Sequence, residues 1–344
     1  RRWRQLQLGV INKNVSFLYM CIFICIYIYI DTSAGELNLF YTHIHLLGIY
    51  DTDSVRGKKI ANTYNTKYFI EANELMQKCD AISIVTPTES HYDVANSAIS
   101  NFNCNVFIEK PLTETIMQAD RLIEEAKKKK LIIQVGHIER LNPALKVLGK
   151  YDLNPRFIDI QRLAPYTVRG TDVPVVLDLM IHDIDILLSL VKSRVKSIHA
   201  SGVSILTNSV DIAHARIRFE NGTVSSITSS RVAKDKVRKI KIFQENLYST
   251  IDLLLSQTEI YNITKDKHII ENALHIEPFH EENDNKYIIY EKPEIDEYDP
   301  LRAELDNFVN SILKKEKPIV DGIAARNALD VVIKINEMIL EDLN

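Results

Sequence analysis

Residues 105–111 have the sequence NVFIEKP, and this stretch decides the fold of the chain. Asn105 to Ile108 form a short apolar run of the kind found in buried parallel strands. Pro111 has no N–H, which predicts where the strand's hydrogen bonding ends. Lys110 would then lie at the carboxyl end of a strand, where open α/β sheets bind their ligands. The stretch therefore predicts a mobile ammonium group at the mouth of a ligand crevice.

The sequence around this stretch alternates strands with helices. Strands are predicted at 46–50, 81–85, 105–108 and 131–135, and helices at about 54–64, 71–78, 90–101 and 114–129. Apolar strands of this length between helices predict a parallel sheet that is covered on both faces.

The pattern changes after about residue 150. One helix at about 174–191 precedes β-rich runs at 194–204, 210–220, 223–231, 237–244, 247–253 and 257–262. Asn221-Gly222 predicts a tight hairpin between two of these runs. Residues 278–300 are polar and predict a long connection, and two helices at about 299–314 and 321–341 follow. The second half is therefore expected to hold a largely antiparallel sheet.

Composition bounds the possible functions. The chain has 344 residues, 46% hydrophobic and 26% charged, with a net charge of −4, so it has no basic field that would recruit nucleic acid. The four cysteines show neither the density of a disulfide framework nor CxxC spacing, which favours a reducing compartment. His43 and His45 have no Cys or carboxylate cluster beside them, and no metal site is predicted.

The N-terminal part is unusual. Gln5 to Ile11 resembles the first strand of a dinucleotide-binding fold, and Leu46 to Tyr50 with Asp51 resembles the second. The G-x-G-x-x-G turn expected between them is missing, because Gly9 is followed by no glycine before Gly35. The acidic residue also lies about twice as far from the glycine as the roughly 20 residues usual for this fold.

Three explanations of residues 12–43 remain open. They could be non-native coding sequence from a frameshift, a retained intron or pseudogene decay. The apolar run Val15–Ile30 could instead be a targeting segment or membrane anchor, although it is shorter than the roughly 20 residues that span a bilayer. A divergent loop followed by a helix is the third explanation.

Three groups of residues carry chemistry, and each also has a structural explanation. Thr86, Pro87 and His91 follow a predicted strand, which simple turn chemistry would also explain. Asp178 and His182 have the i, i+4 spacing that places an acid beside an imidazole, although a solvated helix stripe would have the same spacing. Arg140 and Asn142 follow the strand at 131–135, where they could bind a ligand or join two domains.

Together these motifs resemble one family. TPTESH at 86–91, EKP at 109–111, GHIERLNPA at 136–144 and DLMIH at 178–182 occur in the order and spacing of the Gfo/Idh/MocA oxidoreductases. The resemblance is closest to the nucleotide-sugar branch that contains UDP-N-acetylglucosamine 3-dehydrogenases. It implies an α/β fold, with a Rossmann-like domain over residues 1–145 and a C-terminal α+β domain with a large, mostly antiparallel sheet over residues 146–344.

The resemblance also implies roles for individual residues. Lys110 would lie near the reacting hydroxyl, His182 would be the general base, and Asp178 would orient the substrate or His182. Arg140 and Asn142 would face the substrate. The residues implied in cofactor binding are Gly9, Asp51, Thr86, Pro87, His91, Glu109 and Lys110. Asp51 would bind the ribose hydroxyls of the adenosine, which favours NAD over NADP.

The implied function is NAD-dependent oxidation of a secondary hydroxyl of a sugar or nucleotide sugar, such as UDP-N-acetylglucosamine at C3. The alternative is an inactive relic of the same fold that has lost its cofactor loop. The resemblance implies a homo-oligomer. We expect a cytoplasmic protein, or a membrane-anchored one if Val15–Ile30 is an anchor.

Overall fold

The computed structural model describes residues 22–28, 44–167, 173–265, 275–278 and 286–343, and only the backbone at 22–28, 44 and 45. The chain forms two compact units. The first contains Arg1–His137 and Leu301–Arg326, and the second contains Ile138–Pro300 and Asn327–Asn344. The domain boundary expected after residue 145 stays a prediction.

The first unit is built on a six-stranded sheet in the order β3-β2-β1-β4-β5-β6. Its strands are β1 (Ile22–Ile28), β2 (Ile44–Asp51), β3 (Lys67–Tyr68), β4 (Ala81–Ile84), β5 (Asn105–Glu109) and β6 (Ile133–Gly136). The pairs β2/β3, β4/β5 and β5/β6 are parallel, as the alternation of strands and helices predicts.

Strand β1 departs from the predicted parallel sheet. It lies between β2 and β4 and runs antiparallel to both. Ile22 pairs with Asp51 at the end of β2, and Ile28 pairs with Ile44 at its start. Part of the apolar run Val15–Ile30 therefore forms the strand between β2 and β4. The predicted strand Gln5–Ile11, with Gly9, lies outside the described residues.

Helices follow most strands of the first unit. They are α1 (Ser54–Thr63), α2 (Ala72–Met76), α3 (His91–Phe102) and α4 (Ile116–Lys129). Helix α4 begins with a capping box, in which Thr115 and Gln118 satisfy each other's backbone N–H groups. Phe107 of β5 packs edge-on against Phe308, with ring centroids 5.7 Å apart, and both rings are fully buried.

The second unit is built on a nine-stranded sheet in the order β14-β15-β13-β12-β11-β7-β10-β9-β8. Its strands are β7 (Phe157–Leu163), β8 (Val195–Val203), β9 (Ile212–Phe219), β10 (Val224–Ser230), β11 (Val237–Gln244), β12 (Leu247–Asp252), β13 (Gln257–Thr264), β14 (His275–Pro278) and β15 (Tyr287–Glu291). Among the described strands of this second sheet, only β7 and β10 pair in parallel. The predicted large, mostly antiparallel sheet is confirmed.

Three strands of this sheet differ from the sequence prediction. No strand is predicted over β7 or β14, and β15 falls within 278–300, which is predicted to be a connection. Strand β15 pairs with β13 and β14, so its sheet position depends on partners that a local pattern does not show. The Asn221-Gly222 hairpin is present, and Gly222 has a φ of +90°.

The remaining helices are divided between the two units, with Leu301–Arg326 in the first. They are α5 (Pro143–Lys146), α6 (Ile181–Val191), α7 (Pro300–Ile312) and α8 (Gly322–Leu343), with a π-helical turn at Val176–Met180 before α6. One face of the sheet packs on α6. Among the described residues, no helix is long and apolar enough to cross a bilayer.

Candidate active site

The turn after β4 is tied to the turn after β5 by His91. The ring Nδ1 of His91 lies 2.8 Å from the carbonyl oxygen of Pro111, and its Nε2 lies 3.0 Å from that of Thr86. Burial lowers the pKa of His91, and the residue is 1% exposed. His91 therefore holds together the turns that carry Thr86-Pro87 and Lys110.

Glu109 and Lys110 end strand β5 at that edge. The Glu109 carboxylate accepts a hydrogen bond of 3.2 Å from the backbone N–H of Lys110. Gly136 lies opposite Glu109 in the sheet, and a Cβ there would come within 3.3 Å of Glu109 Oε2. The missing side chain of Gly136 therefore leaves room for the Glu109 carboxylate. The peptide bond between Lys110 and Pro111 is cis.

Asp51 ends strand β2 as predicted, but its carboxylate is covered by an arginine. Arg56 Nε lies 2.5 Å from Asp51 Oδ2, and Arg56 Nη2 lies 2.6 Å from Oδ1. The backbone N–H of Asp53 also donates to Oδ1 at 2.9 Å. The Asp51 side chain has no exposed surface, whereas that of Arg56 is 21% exposed.

Asp178 and His182 lie on consecutive helical turns of the second unit. Asp178 is in the π-helical turn Val176–Met180, and His182 is in the first turn of α6. Both side chains are half-buried. A π-helical turn widens the helix locally and is frequent at functional sites, because it changes the direction of side chains.

A buried ion-pair cluster lies next to His182 in the second unit. Arg162 Nε and Nη2 donate to the carboxylate of Asp183 at 2.8–3.0 Å, and Arg162 Nη1 donates to Glu139 at 3.2 Å. Arg238 donates to the same Glu139 at 2.6 Å. Burial alone would lower the pKa of Arg162, but the carboxylates of Asp183 and Glu139 raise it, so the guanidinium stays charged.

Arg140 and Asn142 are predicted to face the substrate, and the structure engages both within the second unit. Arg140 Nε and Nη2 donate to the two carboxylate oxygens of Asp185 at 2.8 and 2.5 Å. Asn142 caps α5 by accepting from the Ala144 N–H, and its Nδ2 donates to the carbonyl of Leu253. Asn142 is also buried, so its amide serves the fold of this unit.

The sequence patterns missed the cluster around Arg162. The available signal is the alternation of β7, in which Ile158, Ile160 and Arg162 occupy the buried face. A charged residue in such a series needs a buried partner. Asp183, in an otherwise apolar helix, is the matching half of that signal.

Comparison with known proteins shows which family models and relatives this chain matches. The family model described as "Oxidoreductase family, NAD-binding Rossmann fold" matches residues 29–137, and that of the "GFO/IDH/MocA C-terminal domain" matches residues 161–246. UDP-N-acetylglucosamine 3-dehydrogenase of Acidithiobacillus ferrooxidans is 32% identical over 88% of this chain and 94% of its own length. The scyllo-inositol 2-dehydrogenase (NAD(+)) of Bacillus subtilis is 30% identical over 45% of this chain and 49% of its own length.

Solved structures that match this chain include dehydrogenases, like these relatives. UDP-N-acetylglucosamine 3-dehydrogenase GnnA from A. ferrooxidans superposes with a TM-score of 0.77 at 30% identity, covering 87% of this chain and 91% of that one. A dehydrogenase (MviM) from Clostridium difficile shares the fold, with a TM-score of 0.70 at 20% identity over 86% and 91% of the two chains. The chain belongs to the Gfo/Idh/MocA family of NAD-binding oxidoreductases.

Proposed function

We propose that this protein oxidises a secondary hydroxyl of a nucleotide sugar, such as C3 of UDP-N-acetylglucosamine, with NAD as the oxidant. The observation that carries the proposal is the 32% identity, over 94% of its length, to a relative named UDP-N-acetylglucosamine 3-dehydrogenase. The match to an inositol dehydrogenase supports the wider class of polyhydroxylated ring substrates.

In this proposal, His182 is the general base. It takes the proton from the substrate hydroxyl, while Lys110 stabilises the negative charge that develops on that oxygen. Asp178, four residues before His182, orients the imidazole or the substrate. NAD, when bound, supplies the acceptor for the hydride that leaves the same carbon. Arg140 and Asn142 have a smaller role in this proposal, because their described hydrogen bonds are made to other groups of the protein.

We propose that several of the described residues lie along the part of the site that binds the cofactor. Asp51 lies at the end of β2, where a dinucleotide-binding fold holds the adenosine ribose. Glu109 and Lys110 lie at the same edge of the sheet, with Thr86 and Pro87 in the neighbouring turn. Gly9, the remaining predicted cofactor residue, lies outside the described residues. We propose that the ribose and nicotinamide ends of NAD bind along this edge.

A second candidate function is a binding protein that no longer holds the cofactor's pyrophosphate. No G-x-G occurs anywhere in the sequence. In addition, β1 runs antiparallel to its neighbours, so its exit at Ile28 pairs with the start of β2, away from Asp51. The turn after a parallel first strand would lie at the Asp51 edge, where it binds phosphate.

Two measurements separate these functions. The purified chain is incubated with UDP-N-acetylglucosamine and NAD, and the formation of NADH is followed, with Lys110→Met and His182→Gln as controls. The proposal expects turnover that both variants reduce by at least about 100-fold. Absence of turnover together with absence of saturable NADH binding would support the relic, especially if grafting a G-x-G-x-x-G turn restored the binding.

We also propose a homo-oligomer that forms through the outer face of the nine-stranded sheet. Five aromatic rings cross this face with successive centroids 4.8–5.9 Å apart; they are Phe157, Phe243, Tyr248, Tyr261 and Tyr290. Three of the rings are more than a third exposed, and such a patch typically marks an interaction surface. Light scattering should show an oligomer that Phe243→Glu converts to monomers, and a monomeric parent would exclude the proposal.

We propose a cytoplasmic location. Cys79 and Cys104 are buried in the first unit, and neither forms a disulfide. Two neighbouring cysteines that are not oxidised to a disulfide are typical of a reducing compartment. Fractionation of cells that express the tagged protein tests the location, and recovery in the membrane pellet would contradict it.

A further inference from the structure

Two arginines lie directly opposite each other on neighbouring strands of the second unit. The register pairs Arg238 of β11 with Arg162 of β7, and both side chains donate to the same carboxylate oxygen of Glu139. They share the inner face of the sheet, because Ile240 and Ile242, which follow Arg238 at every second position of β11, are fully buried. Like charges placed directly opposite each other destabilise a sheet, so stability alone does not favour two arginines at this position.

The two arginines have different surroundings. The guanidinium of Arg162 is buried and fully used, with Nε and Nη2 on Asp183 and Nη1 on Glu139. The Arg238 side chain is 41% exposed, and within the described part of the chain its one hydrogen bond joins Nη1 to Glu139. An arginine carries five N–H donors in a planar fork. The remaining donors of Arg238 are therefore available to a ligand.

Arg238 also lies near the helical turn that carries the proposed base, His182. A chain of hydrogen bonds, each 3.2 Å or shorter, runs from Arg238 through Glu139 and Arg162 to Asp183. The Arg238 guanidinium therefore lies within roughly 12 Å of the Asp183 carboxylate. Because Asp183 directly follows His182, the second unit holds a partly exposed cation in the neighbourhood of the base.

The proposed class of substrate carries an anion close to its reacting hydroxyl. In a nucleotide sugar the diphosphate is attached at C1, on the same ring as the C3 hydroxyl. An arginine binds a phosphate group through two parallel N–H donors. Glu139 opposes an anion, but its charge is shared by two guanidinium groups. Lys234 and Lys236 outnumber Asp235 in the exposed turn before β11 and add positive charge beside Arg238.

We propose that Arg238 binds the diphosphate of the nucleotide-sugar substrate, and that Glu139 holds its guanidinium in place for that contact. The inference rests on the proposed function, because it concerns the substrate of the same reaction. It goes beyond that function in naming the group through which this chain distinguishes a nucleotide sugar from an uncharged sugar or an inositol.

The test measures binding without any cofactor. Uridine 5′-diphosphate and uridine differ only in the diphosphate, and their binding to the full chain is measured by calorimetry or by NMR titration. We expect the wild type to bind uridine 5′-diphosphate at least about tenfold more tightly than uridine. In Arg238→Gln we expect the diphosphate to bind at least about tenfold more weakly, with the affinity for uridine unchanged.

Two further variants make the result specific. Arg238→Lys keeps the charge but loses the fork, so it should retain part of the affinity for uridine 5′-diphosphate. Lys239→Gln removes a cation from the neighbouring position of β11, which lies on the opposite face and pairs with Asp252. This control should leave both affinities unchanged. Thermal unfolding of each variant confirms that it is folded.

Steady-state kinetics distinguish substrate binding from a purely structural pair with Glu139. We expect Arg238→Gln to raise the KM for UDP-N-acetylglucosamine at least about tenfold and to keep kcat within about threefold of the wild type. A structural role would predict that thermal stability falls while the affinity for uridine 5′-diphosphate and the KM stay the same.

The outcomes separate this inference from the proposed function. If the wild type does not bind uridine 5′-diphosphate more tightly than uridine, or if Arg238→Gln binds it as tightly as the wild type, the inference is overturned. Oxidation of UDP-N-acetylglucosamine with an unchanged KM in Arg238→Gln overturns it as well, whereas the proposed function stands. Binding of the diphosphate that depends on Arg238, without oxidation of any nucleotide sugar, supports the inference and contradicts the proposed function.

Discussion

Arg162 and Asp183 form a forked ion pair in which both side chains are almost completely buried, with Nε and Nη2 of the arginine 2.8–3.0 Å from the carboxylate oxygens. Asp183 directly follows His182, so this pair anchors the first turn of α6. A buried guanidinium that loses its counter-charge destabilises the fold. The pair therefore stabilises the helical turn that carries His182, the proposed base.

Asp183→Asn should therefore destabilise the protein strongly. We expect a loss of about 3 kcal/mol in the free energy of unfolding, because Arg162 keeps only Glu139 as a charged partner. Urea denaturation measures the change. Asp120→Asn is the control, since it breaks the exposed pair with Arg326 and should cost less than about 1 kcal/mol. Equal losses in the two variants would contradict this account.

Gly136→Ala should disturb the turn that carries Lys110. The new Cβ would lie 3.3 Å from both Glu109 Oε2 and the Phe107 ring, so one of them must move. We expect a loss of about 1–3 kcal/mol in stability, together with reduced turnover. Gly149→Ala is the matched control, because a Cβ there meets nothing within 4 Å. If Gly136→Ala changed neither stability nor turnover, the Glu109 carboxylate would not need the space that Gly136 leaves.

The stability of the second unit should depend on Asp211 at acidic pH. Burial would raise the pKa of Asp211, but the N–H groups of Leu206, Ile205 and Thr207 and the Thr207 hydroxyl lower it to about 2. The folded-state pKa lies below the unfolded value, so the contribution is complete at neutral pH and is lost as pH falls from about 4 towards 2. Its size is about 2 kcal/mol.

Asp211→Asn tests this dependence directly. The variant should lose stability at pH 7 and approach the wild type at pH 2, when both are unfolded by urea. If the difference in stability between the two proteins is the same at both pH values, the hydrogen bonds to the carboxylate do not supply the contribution.

His182→Gln should reduce kcat by about 10²–10⁴-fold with little change in KM, because a general base acts on the transition state. His214→Gln is the control, since His214 lies on the exposed face of β9, where it bonds to Ser226, and should leave kcat unchanged. A kcat within about tenfold of the wild type in His182→Gln would assign the base to another residue.

The sequence predicted most elements because their signals are local. The alternation in β9, where Ala213, Ala215 and Ile217 are buried and their neighbours exposed, shows directly which face of the strand meets the core. The turn residues Asn221-Gly222 located a hairpin for the same reason. Strand β15 was missed because its place depends on β13 and β14.

The candidate site also contains residues that have a local sequence signal and residues that have none. Lys110 and His182 were identified from short motifs, and their roles remain proposals. The partners of Arg162, Arg140 and Arg56 could not be foreseen. Arg162 meets Asp183 only through the packing of β7 on α6, and the i, i+5 spacing of Asp51 and Arg56 indicates a pair only once the strand end and helix start are known.

The reversed strand β1 shows that two requirements of this fold are separable. Backbone hydrogen bonding between β2 and β4 can be completed by an apolar segment of either chain direction, because N–H and C=O groups project from a strand on both sides. Delivery of a phosphate-binding turn to one edge depends on direction. A chain of this kind can keep a filled hydrophobic core after it has lost the phosphate-binding turn at one edge of its sheet. A high melting temperature would therefore not show that the protein is catalytically active.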